Sequence, residues 1–131
     1  KKLFNANIAI LASLITLLNP FFFGHMGMNS KDLIIFFSLI WSCYYFYLYC
    51  TEDKKIIKNL LLTSFFIGFG CGVRLTFPVV IFPVIICGFV FLYKKYEANY
   101  KKLSKRLFTH SLVTILIVIF LVILCWPHMI E

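Results

Sequence analysis

Charge is scarce in this chain, and acidic charge is scarcest. Five Asp and Glu stand among 131 residues, and all charged residues together make up 14%. A soluble domain carries about 25% charged and roughly 45–50% apolar residues. Here 62% of residues are hydrophobic and mean hydropathy is +0.94, which excludes a freely soluble protein. Paired cysteines are also missing. Cys43, Cys50, Cys71, Cys87 and Cys125 all fall within or at the ends of apolar segments, without a C-x-x-C, and their number is odd. They read as small packing residues. The three histidines, His25, His110 and His128, lack the spacing of metal ligands. No small-residue cleavage site follows the apolar stretch 1–18, only Asn19-Pro20-Phe21, so that stretch is not a secretory signal. There is no internal repeat and no linker. A start at Lys1 and a stop just after an apolar span are what a piece of a larger protein would show.

What is plentiful is positive charge, and its placement matters more than the net +8. Eleven of the 13 basic residues are Lys1, Lys2, Lys54, Lys55, Lys58, Lys94, Lys95, Lys101, Lys102, Lys105 and Arg106, grouped between apolar runs. That is the pattern of loops retained on the cytoplasmic side of a membrane, and it argues against nucleic acid as a partner. Only Lys31 and Arg74 are left for the other side.

The apolar runs predict an all-α, polytopic transmembrane helix bundle forming a single membrane domain over 1–131. The spans fall at about 3–18, 33–50, 60–73, 77–93 and 107–125. Residues 60–93 form an apolar run broken by one charge, Arg74. As one helix they would measure about 51 Å against a hydrocarbon core of about 30 Å. Two full crossings would need about 40 residues, so the sequence predicts a hairpin of two shortened helices beside about three full spans. The hairpin also returns the basic loop 94–106 to the side of the basic loop 51–59. Thr76 is placed to cap the second helix, with Pro78 in its first turn and Pro83 kinking it. Loops 51–59 and 94–106 are then cytoplasmic. Residues 19–32, the turn at Arg74 and 126–131 share the external face. Tyr44, Tyr45, Tyr47 and Tyr49 read as an interfacial aromatic belt.

Arg74 is the residue hardest to place without a role. An arginine at membrane depth costs about 2.5–3.5 kcal/mol on insertion scales unless it serves a site or a partner, or snorkels to the headgroups. Its planar donors suit a lipid phosphate. Lys31-Asp32 opens the second apolar segment, and Asn29 stands three residues before Asp32 as in a capping box. Asp32 either serves the helix end or holds a sugar hydroxyl, a metal or the attacking group. Lys31 is either interfacial or a counter-charge to phosphate. His25, in a loop with Gly24 and Gly27, and His128, after Trp126-Pro127, are solvated residues or donors near neutral pH. Ser64, Gly68 and Gly72 lie at four-residue intervals, a small-residue face that lets another helix approach. Gly68, Gly70 and Gly72 do not form a dinucleotide loop, since Val73 follows and no strand precedes.

Residues 20–32, Pro20-Phe21-Phe22-Phe23-Gly24-His25-Met26-Gly27-Met28-Asn29-Ser30-Lys31-Asp32, carry a resemblance. The stretch is similar to the loop P-R-F-F-x-H-S-x-x-N-P-K-D of GT-C class membrane glycosyltransferases, in the polyprenyl- or dolichyl-phosphate-mannose protein O-mannosyltransferase branch. Pro20, Phe22, Phe23, His25, Asn29, Lys31 and Asp32 match. Phe21, Met26 and Ser30 depart from the pattern's Arg, Ser and Pro. Gly68 to Arg74 resembles the family's G-x-x-x-G-x-x-[RK] stretch, and Cys125-Trp126-Pro127-His128 resembles a Trp-Pro-Tyr, with His128 for Tyr. Nearly the whole chain is covered.

The resemblance implies transfer of a mannose-like sugar from a polyprenyl-phosphate carrier to a protein or glycan acceptor at the external or lumenal face. It makes Arg74 and Lys31 candidates for donor phosphate, Asp32 the family's second acidic position, and His25, Asn29 and His128 loop candidates. A divalent metal is compatible with it. The family's catalytic acidic residue lies in an external loop upstream of Lys1, so the resemblance puts no catalytic residue in this chain. The Lys-, Ile-, Phe- and Asn-rich composition of an AT-rich genome favours a bacterial inner membrane, with the ER membrane as the alternative. A multi-span transporter fragment, which would also use broken helices and a mid-membrane charge, and a non-catalytic membrane scaffold are the rival readings.

Overall fold

Five helices follow one another in the computed structural model, which describes residues 5–20, 30–53, 55–96 and 100–126. They are α1 (Ala6–Leu18), α2 (Ser30–Thr51), α3 (Ile56–Val73), α4 (Phe77–Lys95) and α5 (Tyr100–Cys125). No strand is present among the described residues, so the chain is all-α as its apolar runs predict. Among the described residues, four segments are long and apolar enough to cross a membrane: Lys31–Thr51, Ile56–Val73, Phe77–Lys95 and Ser104–Cys125. With 18 to 22 residues each, they measure about 27–33 Å at about 1.5 Å per residue, which suits a core about 30 Å thick.

The chain divides into two compact units, Lys1–Leu33 and Ile34–Glu131. In the first, α1 starts where Asn5 caps it, the Asn5 side chain accepting from the Ala6 N–H at 2.8 Å. Ser13 and Thr16 then donate back to the carbonyls of Ala9 and Ala12, which satisfies both hydroxyls within an apolar helix. At 13 residues, α1 spans about 20 Å.

In the second unit the hairpin is present, with its turn at Arg74, Leu75 and Thr76. Its helices are longer than the apolar run alone. α3 starts at Ile56 and α4 ends at Lys95, because Lys58, Asn59 and Lys94 are compatible with helix and carry it past the apolar residues. Thr76 occupies the N-cap position of α4 with Pro78 in the first turn, but its hydroxyl makes no capping bond. Its carbonyl accepts the Val79 N–H instead, at 3.1 Å. Pro83 lies inside α4, which runs without a break from Phe77 to Lys95.

α3 and α5 pack parallel and closely. Ser64 donates to Thr114 Oγ1 at 2.9 Å. A Cβ on Gly68 would lie 2.6 Å from Leu121 Cδ1, and one on Gly72 2.6 Å from Cys125 Sγ. The small-residue face is therefore a contact surface, and no glycine among the described residues adopts a positive φ. α2 leans on α3 through an i, i+4 stripe. Phe37, Trp41 and Tyr45 all meet the Phe66 ring at centroid distances of 5.8 to 5.9 Å. Tyr49, next in that stripe, is buried and reaches α5 rather than a membrane interface. Outward faces are apolar: Val79 and Phe108 are 75% and 72% exposed, as lipid-facing residues are.

Candidate functional site

The hairpin turn is fixed from three sides. The Arg74 N–H donates to Gly70 O at 3.0 Å and closes α3, while the Arg74 backbone turns extended. Arg74 O then accepts from the Phe77 N–H at 3.0 Å, which starts α4. The Phe77 ring, 1% exposed, lies against Gly70 so closely that a Cβ there would fall 2.8 to 2.9 Å from the ring. Phe77, Cys71 and Ile81 form a buried cluster under the turn, packed by Ile35, Leu39, Val118 and Val122 from α2 and α5. The indole Nε1 of Trp126, just past α5, donates to the carbonyl of Gly72. The end of α5 is thereby held at the turn, and the Arg74 side chain projects from this fixed platform to an exposed position.

Lys31 and Asp32 stand in the first turn of α2, Lys31 exposed and Asp32 half-buried. A carboxylate there complements the helix dipole, as the sequence predicts. Both belong to the first unit and Arg74 to the second. Of the other residues singled out, His25, Asn29 and His128 lie outside the described residues. Among the described residues, no group of three His, Cys, Asp or Glu is placed to hold a metal ion.

The opposite end of the second unit holds a cluster that the sequence pattern did not single out. Asp53, in the link between α2 and α3, accepts from Tyr96 Oη at 2.7 Å and from Lys95 Nζ at 3.2 and 3.3 Å. The Tyr96 hydroxyl first, and then the Lys95 ammonium, hold its carboxyl below the usual aspartate range. Lys95 also donates to the carbonyls of Cys50 and Thr51, so a cation from α4 caps the C-terminus of α2. Arg106 sits over the rings of Tyr49 and Tyr96, its guanidinium carbon 5.6 and 5.7 Å from their centroids. Its Nη1 donates to Tyr96 Oη at 3.2 Å. In the sequence, the four-residue spacing of Arg106 and His110, which puts both on one helix face, is the signal that could have pointed to this cluster. The two basic loops thus meet at one end of the unit, and the Arg74 turn and Trp126 at the other.

Long apolar helices, lipid-facing outer surfaces and a charge confined to a hairpin tip define an integral membrane protein. Comparison with family models narrows the class. The chain belongs to the dolichyl-phosphate-mannose-protein mannosyltransferase family, whose model matches residues 1–126. Comparisons with curated proteins and with solved structures gave no match.

Proposed function

We propose that the full protein transfers mannose, or a closely similar sugar, from a polyprenyl-phosphate carrier to a protein or glycan acceptor at the external membrane face. The family match over residues 1–126 carries this reading. Arg74 adds residue-level support: it is a cation at the tip of an apolar hairpin, on a turn held by Gly70, Phe77 and Trp126. In this reading its guanidinium engages the donor phosphate. It stabilises the negative charge that grows on the phosphate as the glycosidic bond to the anomeric carbon breaks.

In this reading the acceptor hydroxyl forms the new bond to that carbon and gives its proton to a carboxylate base outside residues 1–131. Polyprenyl phosphate leaves. Lys31 adds positive charge for the donor, and Asp32 positions the sugar or the acceptor. His25, Asn29 and His128 are further candidates for contact with the donor or acceptor.

The test is sugar transfer by the full-length protein in proteoliposomes, with polyprenyl-phosphate-mannose and nucleotide-activated mannose as alternative donors. Transfer from the lipid-linked donor alone is expected. Equal transfer from the nucleotide sugar would remove the reading. Asp32→Asn, which keeps a capping side chain but loses the charge, is expected to slow transfer. An unchanged rate would take Asp32 out of the site.

A further inference from the structure

We propose that the basic end of the second unit is a binding site for one anionic phospholipid, distinct from the Arg74 turn at the other end. An open cleft of about 600 Å³ lies there, with Lys55, Lys58, Arg106 and His110 in its wall and Asp53 as the one acidic member among the described residues. The Asp53 carboxylate is already engaged by Lys95 and Tyr96, so the cleft presents mainly cations. Lys55 is also the N-cap of α3. That helix start has no side-chain cap and no acidic residue in its first turn, leaving its N–H groups oriented for an anion.

Arg106 supplies the second, independent sign of a ligand. It is held in place by two tyrosine rings and by its Nη1 bond to Tyr96. Its Nη2 is buried yet has no hydrogen-bond partner among the described residues. A buried guanidinium nitrogen left unpaired is costly, and Arg106 lines the cleft, where a small turn of its head would offer a phosphate oxygen a charge-assisted bond.

A second cavity makes the ligand a lipid rather than a free anion. His110 also lines an apolar cavity of about 260 Å³ between α2, α3, α4 and α5, whose walls include Phe46, Leu60, Phe89, Leu107 and Ile115. One His110 ring nitrogen, Nδ1, is bonded to Tyr49 at 2.8 Å. His110 stands in the walls of both spaces. A phosphate beside a segment of acyl chain fits a basic cleft and an apolar cavity that share His110. If this end is cytoplasmic, as the count of basic residues argues, it faces the leaflet rich in anionic lipid.

The experiment measures thermal unfolding of the protein in neutral detergent with added phosphatidylglycerol, phosphatidylcholine or inorganic phosphate. Phosphatidylglycerol is expected to raise Tm saturably, and the other two are not. Lys55→Ala/Lys58→Ala, both exposed, is expected to weaken the apparent affinity roughly tenfold or more. Lys105→Ala, an exposed cation outside the cleft, is expected to leave it unchanged. Ser111→Phe, which fills the apolar cavity from an exposed wall position, is expected to remove the preference for long over short acyl chains. Equal stabilisation by phosphatidylcholine, or equal losses in the Lys55/Lys58 and Lys105 variants, would overturn the site. Saturation by inorganic phosphate alone, or a chain-length preference that survives Ser111→Phe, would overturn the lipid as its occupant.

Discussion

Tyr49 Oη and His110 Nδ1 lie 2.8 Å apart, a hydrogen bond between α2 and α5 across 61 residues of chain. The two rings also meet edge to face at 5.7 Å. Tyr49 is 4% exposed, so neither group exchanges this bond for water at small cost. Tyr49→Phe keeps the ring contact and removes only the hydroxyl, leaving His110 Nδ1 without this partner. The expected loss is about 1–2 kcal/mol of stability. A double-mutant cycle with His110→Ala checks it, and additive losses would show that the pair is not coupled.

The close approach of α3 to α5 makes a second demand on the sequence. Gly72→Leu would drive a side chain into Cys125 and lift α5 away, breaking the bond from Trp126 to the Gly72 carbonyl. Overpacking of this kind costs about 1–3 kcal/mol. In a Trp41→Phe background, where Trp126 is the remaining tryptophan, its emission is expected to shift to the red. An unshifted spectrum would mean that Gly72 does not set the distance between the helices.

These two contacts differ in how far the sequence disclosed them. The small face Ser64, Gly68, Gly72 was visible as a four-residue interval, because a helix turns a local spacing into a surface. The hairpin was visible because the 34-residue run 60–93 exceeds one crossing and one arginine interrupts it. Partners were not visible. Lys95 caps α2 from 44 residues away in sequence, and Arg106 finds Tyr96 and Tyr49 from different elements. Such bonds depend on which helix faces lie together, which periodicity does not specify. Tyr49 shows the same limit: its aromatic character suggested a membrane interface, while its register in the stripe Phe37, Trp41, Tyr45 turned it inward.

Asp53 gives the basic end an acid-sensitive contact. Its carboxyl titrates lower in the folded protein than in the unfolded chain, held down first by Tyr96 and then by Lys95. The folded state therefore binds fewer protons than the unfolded one across that window. The contribution is complete above the ordinary aspartate value of about 3.9 and is lost as pH falls through the lower folded value. The Tm difference between wild type and Asp53→Asn is expected to be constant from neutral pH down to about 5 and to shrink below that. A difference that grows on acidification would reverse the sign of the argument. The effect is small because Asp53 is largely exposed.

The division of charge predicts the sidedness of the chain. A cysteine-free protein carrying a single cysteine at Leu75, exposed at the hairpin turn, should be labelled from outside intact cells by an impermeant thiol reagent. A cysteine at Ser104, near the basic end, should react only after the membrane is opened. The reverse pattern would invert the protein and move the proposed transfer to the wrong face.

Arg74 links the geometry of the turn to the family's chemistry. It caps α3 with its own backbone and carries its charge to the tip of the hairpin, where Phe77 and Trp126 keep the backbone in place. Two roles for the guanidinium make different demands. A snorkelling anchor needs only a long stem and a positive head, and lysine supplies both. A ligand to donor phosphate uses the planar fork, which lysine lacks. Arg74→Lys is therefore expected to lower kcat/KM for polyprenyl-phosphate-mannose about tenfold, and Arg74→Ala about a hundredfold, values typical of lost charge-assisted hydrogen bonds. Both variants should insert normally, because the turn is held by backbone bonds and by Phe77 rather than by the arginine side chain. The measurement is the donor dependence of transfer by the purified full-length protein, with cysteine labelling at Leu75 as the check on insertion. Wild-type kinetics in Arg74→Lys together with a loss in Arg74→Ala would leave a generic positive charge at the turn. Wild-type kinetics in both would assign Arg74 to the membrane interface and leave the donor phosphate to other residues.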